Sequence, residues 1–210
     1  MGLSEEDIRL VCEKFSKEYS KAKCALEFRN DFELLVSARL SAQCKDDRVN
    51  SISKVLFRKF PDVFSMSNAD VLDIENIIRP CGLFRTKAKN LKEMCDLLVK
   101  KFDSKVPYGL DNLQKLPGVG RKTANLIMSE VFKVPSIVVD THVSRVSRRI
   151  GFHNEKDAFK IEMILRKCID KKFWSSICHQ MVFHGRIICK AQRPKCNCCC
   201  ISKYCKRNFV

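Results

Sequence analysis

The stretch from Leu116 to His142, LPGVGRKTANLIMSEVFKVPSIVVDTH, constrains the fold of this chain more than any other part of the sequence. Residues 117–120 predict a tight turn, because two glycines accept positive φ and let a partner approach the backbone closely. Helix-forming residues follow at once over 121–131. The turn therefore leads into a helix N-terminus, which is a suitable site for a phosphate. Lys122 lies in the first turn of this predicted helix.

A second helix start lies eighteen residues after Lys122, at Asp140. Asp140 precedes Thr141-His142-Val143 and has the right side chain to cap the following helix. Taken alone, capping is the simpler interpretation of Asp140, and a phosphate contact is the simpler interpretation of Lys122. A chemical role for either residue stays open at this point.

The segment Gly118-Val-Gly-Arg-Lys-Thr is not a nucleotide-binding P-loop. A P-loop needs Gly directly before Lys-Thr, and Arg121 occupies that position here. A P-loop also follows a strand, whereas residues 113–116 predict a helix or a turn. Nucleoside triphosphate binding is therefore not expected.

The charge balance points to a polyanionic partner. The 210 residues carry 40 Lys and Arg against 24 Asp and Glu, a formal net charge of +16. Nucleic acid is the leading candidate, and a basic soluble protein is the alternative. The sequence has neither a signal peptide nor 18 consecutive apolar residues, so we expect an intracellular protein without membrane association, cytoplasmic and nucleoid-associated if bacterial and nuclear if eukaryotic. We also expect a monomer. The 13 cysteines are odd in number, so we expect reduced thiols rather than a disulfide scaffold.

Apolar periodicity predicts an all-α chain. Ile137–Val139 is too isolated for a sheet and is expected to be a buried linker. Lysines 87, 89 and 92 and arginines 145, 148 and 149 are expected on solvated helix faces. The predicted helices are 4–19, 31–43, 46–59, 68–78, 86–102, 121–131, 140–150, 154–169 and 173–188.

The C-terminal region carries four cysteines with the spacing C-x6-C-x2-C-x5-C, namely Cys189, Cys196, Cys199 and Cys205. Four thiolates within 17 residues suit a compact metal cluster. A zinc ribbon would show two well-separated C-x2-C pairs, so zinc is the lesser interpretation. Cys198 and Cys200 leave the assignment of ligands open. Basic side chains in the loop would face a phosphate backbone: Lys190, Arg193 and Lys195.

The chain owes its family resemblance to three motifs: LPGVGRKTAN, VDTH before a basic helix, and the cysteine spacing. With FELLVSARLSAQ at 32–43, it resembles the endonuclease III family of helix-hairpin-helix DNA glycosylases over about residues 25–210. The resemblance implies an all-α, two-lobed fold. A six-helix lobe at 24–134 would contain the helix-hairpin-helix at about 109–131. Residues 1–23 and 135–210 would form a lobe with one [4Fe-4S] cluster in the loop 189–205, and DNA would bind between the lobes.

The resemblance also implies a reaction. Lys122 would attack C1′ of a flipped nucleotide in double-stranded DNA, expel an oxidised pyrimidine and form a Schiff base. β-Elimination would then cut the strand 3′ of the abasic site. The helix N-terminus, Arg121 and partial burial would keep the amine of Lys122 neutral. Asp140 would stabilise positive charge on the sugar. Relatives that lack a lysine here are glycosylases only.

Further roles follow from the same resemblance. Gln43 would fill the space left by the flipped base, and Leu83 would wedge the opposite strand, although Leu83 alone also fits a buried loop residue. Gln114 and His142 would line the base pocket. Some bacterial members have an acid in place of Gln114, and Cys81 replaces a more usual apolar residue. The expected phosphate contacts are Leu116, Gly118, Val119, Gly120 and Arg121.

Two alternatives remain open from the sequence. The same chemistry could act on pyrimidine dimers. The second alternative is a non-catalytic DNA-binding module whose cluster senses redox state. The presence of both Lys122 and Asp140 argues against this second alternative.

Overall fold

The computed structural model describes residues 3–207, and the regular secondary structure in this part of the chain is entirely helical. The predicted all-α class is confirmed. Two short 3₁₀ turns, Lys171–Phe173 and Cys196–Cys198, accompany the α-helices. The α-helices are α1 Glu5–Glu18, α2 Asp31–Leu40, α3 Asp46–Lys59, α4 Val63–Ser67, α5 Val71–Ile78, α6 Phe84–Lys101, α7 Leu110–Gln114, α8 Arg121–Glu130, α9 Thr141–Ile150, α10 Ala158–Cys168 and α11 Trp174–Ile187.

The chain divides into two compact units. Cys24–Lys133 contains α2 to α8, and we call it the hairpin unit. Met1–Lys23 together with Val134–Val210 contains α1 and α9 to α11, and we call it the cysteine unit.

Helix α2 is the centre of the hairpin unit. It packs against α3, α6 and α8, and its apolar side chains from Phe32 to Leu40 are at most 5% exposed. A helix buried on nearly every side must be apolar all round, which explains the run FELLVSARL. Its C-terminal end therefore fixes where the loop with Gln43 begins.

In the cysteine unit, α11 packs against both α1 and α9. The predicted linker Ile137–Val139 is buried and forms no strand. The backbone N–H of Val138 instead donates to Cys178 Sγ on α11 at 3.2 Å. The linker leads directly to Asp140 and the start of α9.

Some predicted boundaries were wrong. Helix α2 ends at Leu40 rather than at residue 43. The predicted helix 68–78 starts only at Val71, and the short α4 before it was missed; α4 begins at a capping box between Asp62 and Ser65. Helix α10 starts at Ala158, because Asp157 rather than Asn154 caps it.

Two predicted surface cations are buried. Lys87 is 0% exposed and Arg149 is 9% exposed, so the prediction of solvated faces is wrong for both. Each side chain donates to backbone carbonyl oxygens that come from distant parts of the sequence. No helix within residues 3–207 is both long and apolar enough to cross a membrane.

Candidate functional site

A hairpin between α7 and α8 presents backbone amides to solvent. Leu116 and Val119 are buried and anchor it, and the N–H of Val119 donates to the carbonyl of Leu116 at 3.0 Å. Gly118 takes φ +75° and Gly120 caps α8 at φ −90°, both on the exposed side. No side chain caps α8. The first amides of α8 are thus available to an anion.

Arg39 lies against this hairpin, which sequence reasoning missed. Its Cδ and Cζ would each be 2.9 Å from a Cβ built on Gly118. Its Nε has no hydrogen-bond partner within residues 3–207, and burial lowers the pKa of its guanidinium. The signal available in the sequence was one arginine among the apolar residues in the second half of α2. The guanidinium adds positive charge beside the exposed amides.

Lys122 is the second residue of α8 and is exposed. The prediction of partial burial is therefore wrong for the protein alone. The helix N-terminus and Arg121 lie beside Lys122.

Asp140 caps α9 in the cysteine unit. Its carboxylate accepts a hydrogen bond from the N–H of Val143 at 2.8 Å, as the sequence predicted. The capping interaction uses Oδ1 and fixes the side chain beside a positive helix end. Asp140 is only partly buried, so its carboxylate remains accessible.

Gln43 and Leu83 lie on two loops that touch each other in the hairpin unit. Both residues have left-handed backbones, with φ 54° and 59°, and both are exposed, Leu83 by 60%. A Cβ on Gly82 would lie 3.4 Å from the carbonyl oxygen of Gln43. Below them, Cys44 Sγ and Cys81 Sγ are 3.7 Å apart. The exposure of Leu83 favours a wedge over a buried loop residue.

The two residues predicted for the base pocket have different surroundings. Gln114 is exposed at the end of α7. His142 lies between α9 and α11, where Arg145 Nη2 is 3.2 Å from its Nδ1 and where a Cβ on Gly185 would lie 3.0 Å from the same atom. Their role in a base pocket stays a prediction.

The four predicted cysteine ligands are brought together around one cavity of about 320 Å³, part of which is open to solvent. The cavity wall also includes Ile188, Ile201, His184 and Arg149. Cys198 and Cys200 are not part of it: Cys198 is exposed, and the thiol of Cys200 is hydrogen-bonded to Tyr19. The cysteines that line the cavity are therefore the four with the predicted C-x6-C-x2-C-x5-C spacing.

The donor set of this cavity is four thiols. Within residues 3–207, no three or more His, Cys, Asp or Glu side chains are arranged to hold one metal ion. Zinc requires ligands that converge on one point, at about 2.3 Å for sulfur. An iron–sulfur cluster spreads its four thiolates around a larger body, which fits a shared cavity. Burial raises the pKa of Cys199 to about 11.

Buried donors surround the cysteine cavity. His184 accepts or donates at both ring nitrogens: Nδ1 is 2.7 Å from the hydroxyl of Tyr19, and Nε2 is 3.7 Å from Cys199 Sγ. Burial lowers the pKa of His184 to about 4, so the ring is neutral. Nε2 of the neutral ring thus lies beside the sulfur of Cys199, where it donates in one tautomer and accepts in the other. Arg149 Nη1 similarly donates to Cys189 Sγ at 3.6 Å.

Arg149 also holds the loop between the first two cysteines. Its Nη1 donates to the carbonyl of Lys190 at 2.6 Å and its Nη2 to the carbonyl of Ala191 at 2.8 Å. Side chains in this loop consequently point outward, and Lys190, Arg193 and Lys195 are all exposed. The arrangement suits the predicted contact with a phosphate backbone.

Comparison with known proteins agrees with this geometry. Residues 36–171 match the model of the HhH-GPD superfamily of base excision DNA repair proteins. Endonuclease III of Bacillus subtilis is 39% identical over 205 residues, 97% of this chain and 94% of the relative. Endonuclease III of Rickettsia prowazekii is 40% identical over 93% of this chain and 92% of the relative.

The chain belongs to the endonuclease III family of the HhH-GPD superfamily. Its membership makes it an enzyme of base excision DNA repair, a DNA glycosylase and AP lyase. A solved endonuclease III, described as a trapped covalent intermediate with DNA, has the same fold. Its TM-score is 0.93 at 43% identity, and the match covers 98% of this chain and 97% of that chain. A thermostable thymine-DNA glycosylase shares the fold alone, with TM-score 0.87 at 20% identity.

Proposed function

We propose that this protein, acting as a monomer, removes oxidised pyrimidines from double-stranded DNA and cuts the strand on the 3′ side of the abasic site. Lys122 is the nucleophile. The observation that carries the proposal is the position of Lys122, which is exposed in the first turn of α8, directly after a hairpin whose Gly118 and Gly120 are exposed. Phosphate binding and a nucleophilic amine are thus joined on one rigid element.

The reaction begins when the damaged nucleotide is turned out of the duplex, because C1′ is inaccessible within the stack. The amine of Lys122 forms a bond to C1′, and the glycosidic bond breaks with its electron pair leaving on the base. The sugar ring opens to an iminium, the Schiff base. Loss of a C2′ proton then expels the 3′ phosphate by β-elimination, and water releases Lys122.

The amine of Lys122 must be neutral to attack. The protein alone leaves it in water, so burial by the enzyme does not contribute. Bound DNA would cover the side chain and remove water from it. The amine of Lys122 therefore becomes an effective nucleophile only in the complex with DNA.

Asp140 supplies negative charge for the sugar as positive charge develops on it, and it assists proton transfer. The N–H of Val143 holds the carboxylate in one orientation before substrate arrives. An orientation fixed in advance costs no reorganisation at the moment of reaction.

DNA is held by contacts that do not read sequence. The hairpin Leu116–Gly120 binds phosphates through the N–H groups of Gly118 and Gly120, together with the side chain of Arg121, and the half-buried Arg39 adds charge at the same place. The exposed cations at 190–195 bind a further stretch of backbone. Gln43 fills the gap left by the flipped base while Leu83 enters the opposite strand. Gln114 and His142 contact the base.

Cys189, Cys196, Cys199 and Cys205 hold one [4Fe-4S] cluster. Support comes from their common cavity, from Arg149 Nη1, which donates to Cys189 Sγ, and from His184 Nε2, which lies beside Cys199 Sγ. When bound, the cluster cross-links the loop 189–205 and so fixes its cations for DNA. The steps of the reaction use Lys122 and Asp140.

Borohydride trapping tests the proposal. The protein is mixed with duplexes that carry thymine glycol, a thymine dimer or an abasic site, and then reduced. We expect a covalent complex on the thymine glycol and abasic duplexes that disappears in Lys122→Gln. Lys115→Gln, an exposed lysine before the hairpin, is the matched control and should still be trapped. Trapping on the thymine dimer alone would reassign the lesion, and no trapping on any duplex would refute the lyase mechanism.

A further inference from the structure

Lys87 in α6 is a buried cation that the proposed mechanism does not use. Its side chain is fully buried, and its Nζ donates to the carbonyl of Leu40 at 2.9 Å and to that of Ala42 at 2.6 Å. It forms no ion pair with a carboxylate within residues 3–207. Burial lowers the pKa of its ammonium, so the charged form is disfavoured here. An ordinary core position would hold leucine or methionine instead.

The two carbonyls that Lys87 binds explain why a cation is present. Leu40 is the last residue of α2, and carbonyls in a last helical turn lack intrahelical partners. Ala42 directly precedes Gln43, whose backbone is left-handed at φ 54°. Lys87 therefore satisfies the end of α2 and fixes the chain at the point where Gln43 is turned outward.

The backbone of Lys87 makes a separate hydrogen bond, to Leu83. The backbone N–H of Lys87 donates to the carbonyl of Leu83 at 3.0 Å, in the first turn of α6. Leu83 is also left-handed, at φ 59°, a conformation that a branched side chain adopts only when its surroundings enforce it. One residue thus binds the backbone beside Gln43 through its side chain and the backbone of Leu83 through its N–H.

We propose that Lys87 is a positioning residue that locks the loops of Gln43 and Leu83 together, so that both side chains enter the duplex as one unit. The proposal rests on the proposed function, because it requires that these side chains open the base pair. Lys87 acts through Gln43 and Leu83 and does not contact the DNA. Its loss should impair base extrusion and leave the chemistry of Lys122 intact.

Two substrates separate extrusion from chemistry. A thymine glycol must be unpaired and turned out, whereas an abasic sugar has no base to unstack and is turned out more easily. Single-turnover rates are measured on both duplexes for the wild type and for Lys87→Met, whose unbranched side chain is one atom shorter and has no donor. We expect a loss of about tenfold on thymine glycol relative to the abasic duplex, the scale of one lost charged hydrogen bond.

Lys89→Met is the matched control. Lys89 is on the same helix, its side chain is 72% exposed, and it pairs with Glu93 at 3.8 Å. The Lys89→Met substitution removes the same charge without changing a contact to the loop of Gln43 or the loop of Leu83. The ratio of its rate on thymine glycol to its rate on the abasic duplex should therefore equal that of the wild type. Should Lys87→Met fail to fold, Lys87→Gln, whose amide still donates to one carbonyl, replaces it in the same comparison.

A second readout is one that a general loss of stability does not change. 2-Aminopurine opposite the lesion becomes fluorescent when the base pair is opened, and we expect this signal to fall in Lys87→Met at saturating protein. Equal losses on both duplexes, or an unchanged fluorescence signal, would overturn the proposal. A wild type inactive on both duplexes would instead refute the proposed function, so the two failures are distinguishable.

Discussion

The guanidinium of Arg39 occupies the space where a side chain on Gly118 would begin. Its Cδ and Cζ lie 2.9 Å from the position of a Cβ on that glycine, and Gly118 has φ +75°. Gly118 is therefore required twice, once for its backbone conformation and once for the close approach of Arg39. The contact joins α2, the central helix of the hairpin unit, to the hairpin that binds DNA in the proposed function.

Removal of Arg39 should weaken DNA binding in a salt-dependent way. Arg39→Leu is expected to lower the slope of log K against log salt by about 0.9, the value for one phosphate contact. Binding to an undamaged duplex is measured by fluorescence anisotropy over a range of salt concentrations. Arg58→Leu, an exposed arginine on α3, is the control and should leave the slope unchanged. A slope in Arg39→Leu equal to that of the wild type would contradict the assignment.

Gly118→Ala should destabilise the protein by about 1–3 kcal/mol, because alanine resists φ +75° and its Cβ meets Arg39. Gly118→Ala with Arg39→Ala relieves the clash but not the backbone strain, so it should recover only part of the loss. Gly120→Ala is a matched control, since φ is −90° and nothing lies within 4 Å of the added Cβ. Urea unfolding measures all three, and a Gly118→Ala protein as stable as the wild type would disprove the argument.

Capping and chemistry at Asp140 can be separated by two substitutions. Asn caps a helix about as well as Asp, so Asp140→Asn should keep the wild-type free energy of unfolding and still lose activity by about 100-fold or more. Asp140→Ala should lose the activity and also about 1 kcal/mol of stability. Full strand cleavage by Asp140→Asn would leave Asp140 with a capping role only.

Asp157→Ala provides the control for the Asp140 pair. Asp157 caps α10 through the N–H of Lys160 at 2.9 Å and is exposed. Its loss should lower stability by about 1 kcal/mol without changing the cleavage rate. A fall in activity in this variant would show that the cleavage assay responds to stability.

The cysteine variants should differ in iron content. The purified protein is expected to be brown, with about four irons per chain. Cys199→Ser should lose most of this iron, because its sulfur lines the cavity. Cys198→Ser and Cys200→Ser should keep it, because neither side chain does. Iron and zinc are measured by mass spectrometry, and bound zinc without iron would refute the cluster.

Local signals in the sequence determined several features on their own. The predicted helix 46–59 coincides with α3, and α9 begins after Asp140 and ends before Gly151 as predicted. Caps, apolar periodicity and terminal glycines act within a few residues, so they can be read along the chain. The same holds for the hairpin glycines and for the cysteine spacing, which together gave the family resemblance.

Tertiary structure decided the features that depend on distant residues. Lys87 is buried because the end of α2 brings two carbonyls to it, and Arg149 is buried because the loop after α11 brings others. Neither residue differs in its local sequence from a cation on a solvated helix face. Likewise, Arg39 contacts the hairpin only when the fold brings Gly118 against α2. The sequence alone therefore determined the all-α class and most of the long helices, and packing determined which cations are exposed, because exposure depends on contacts between segments far apart in the chain.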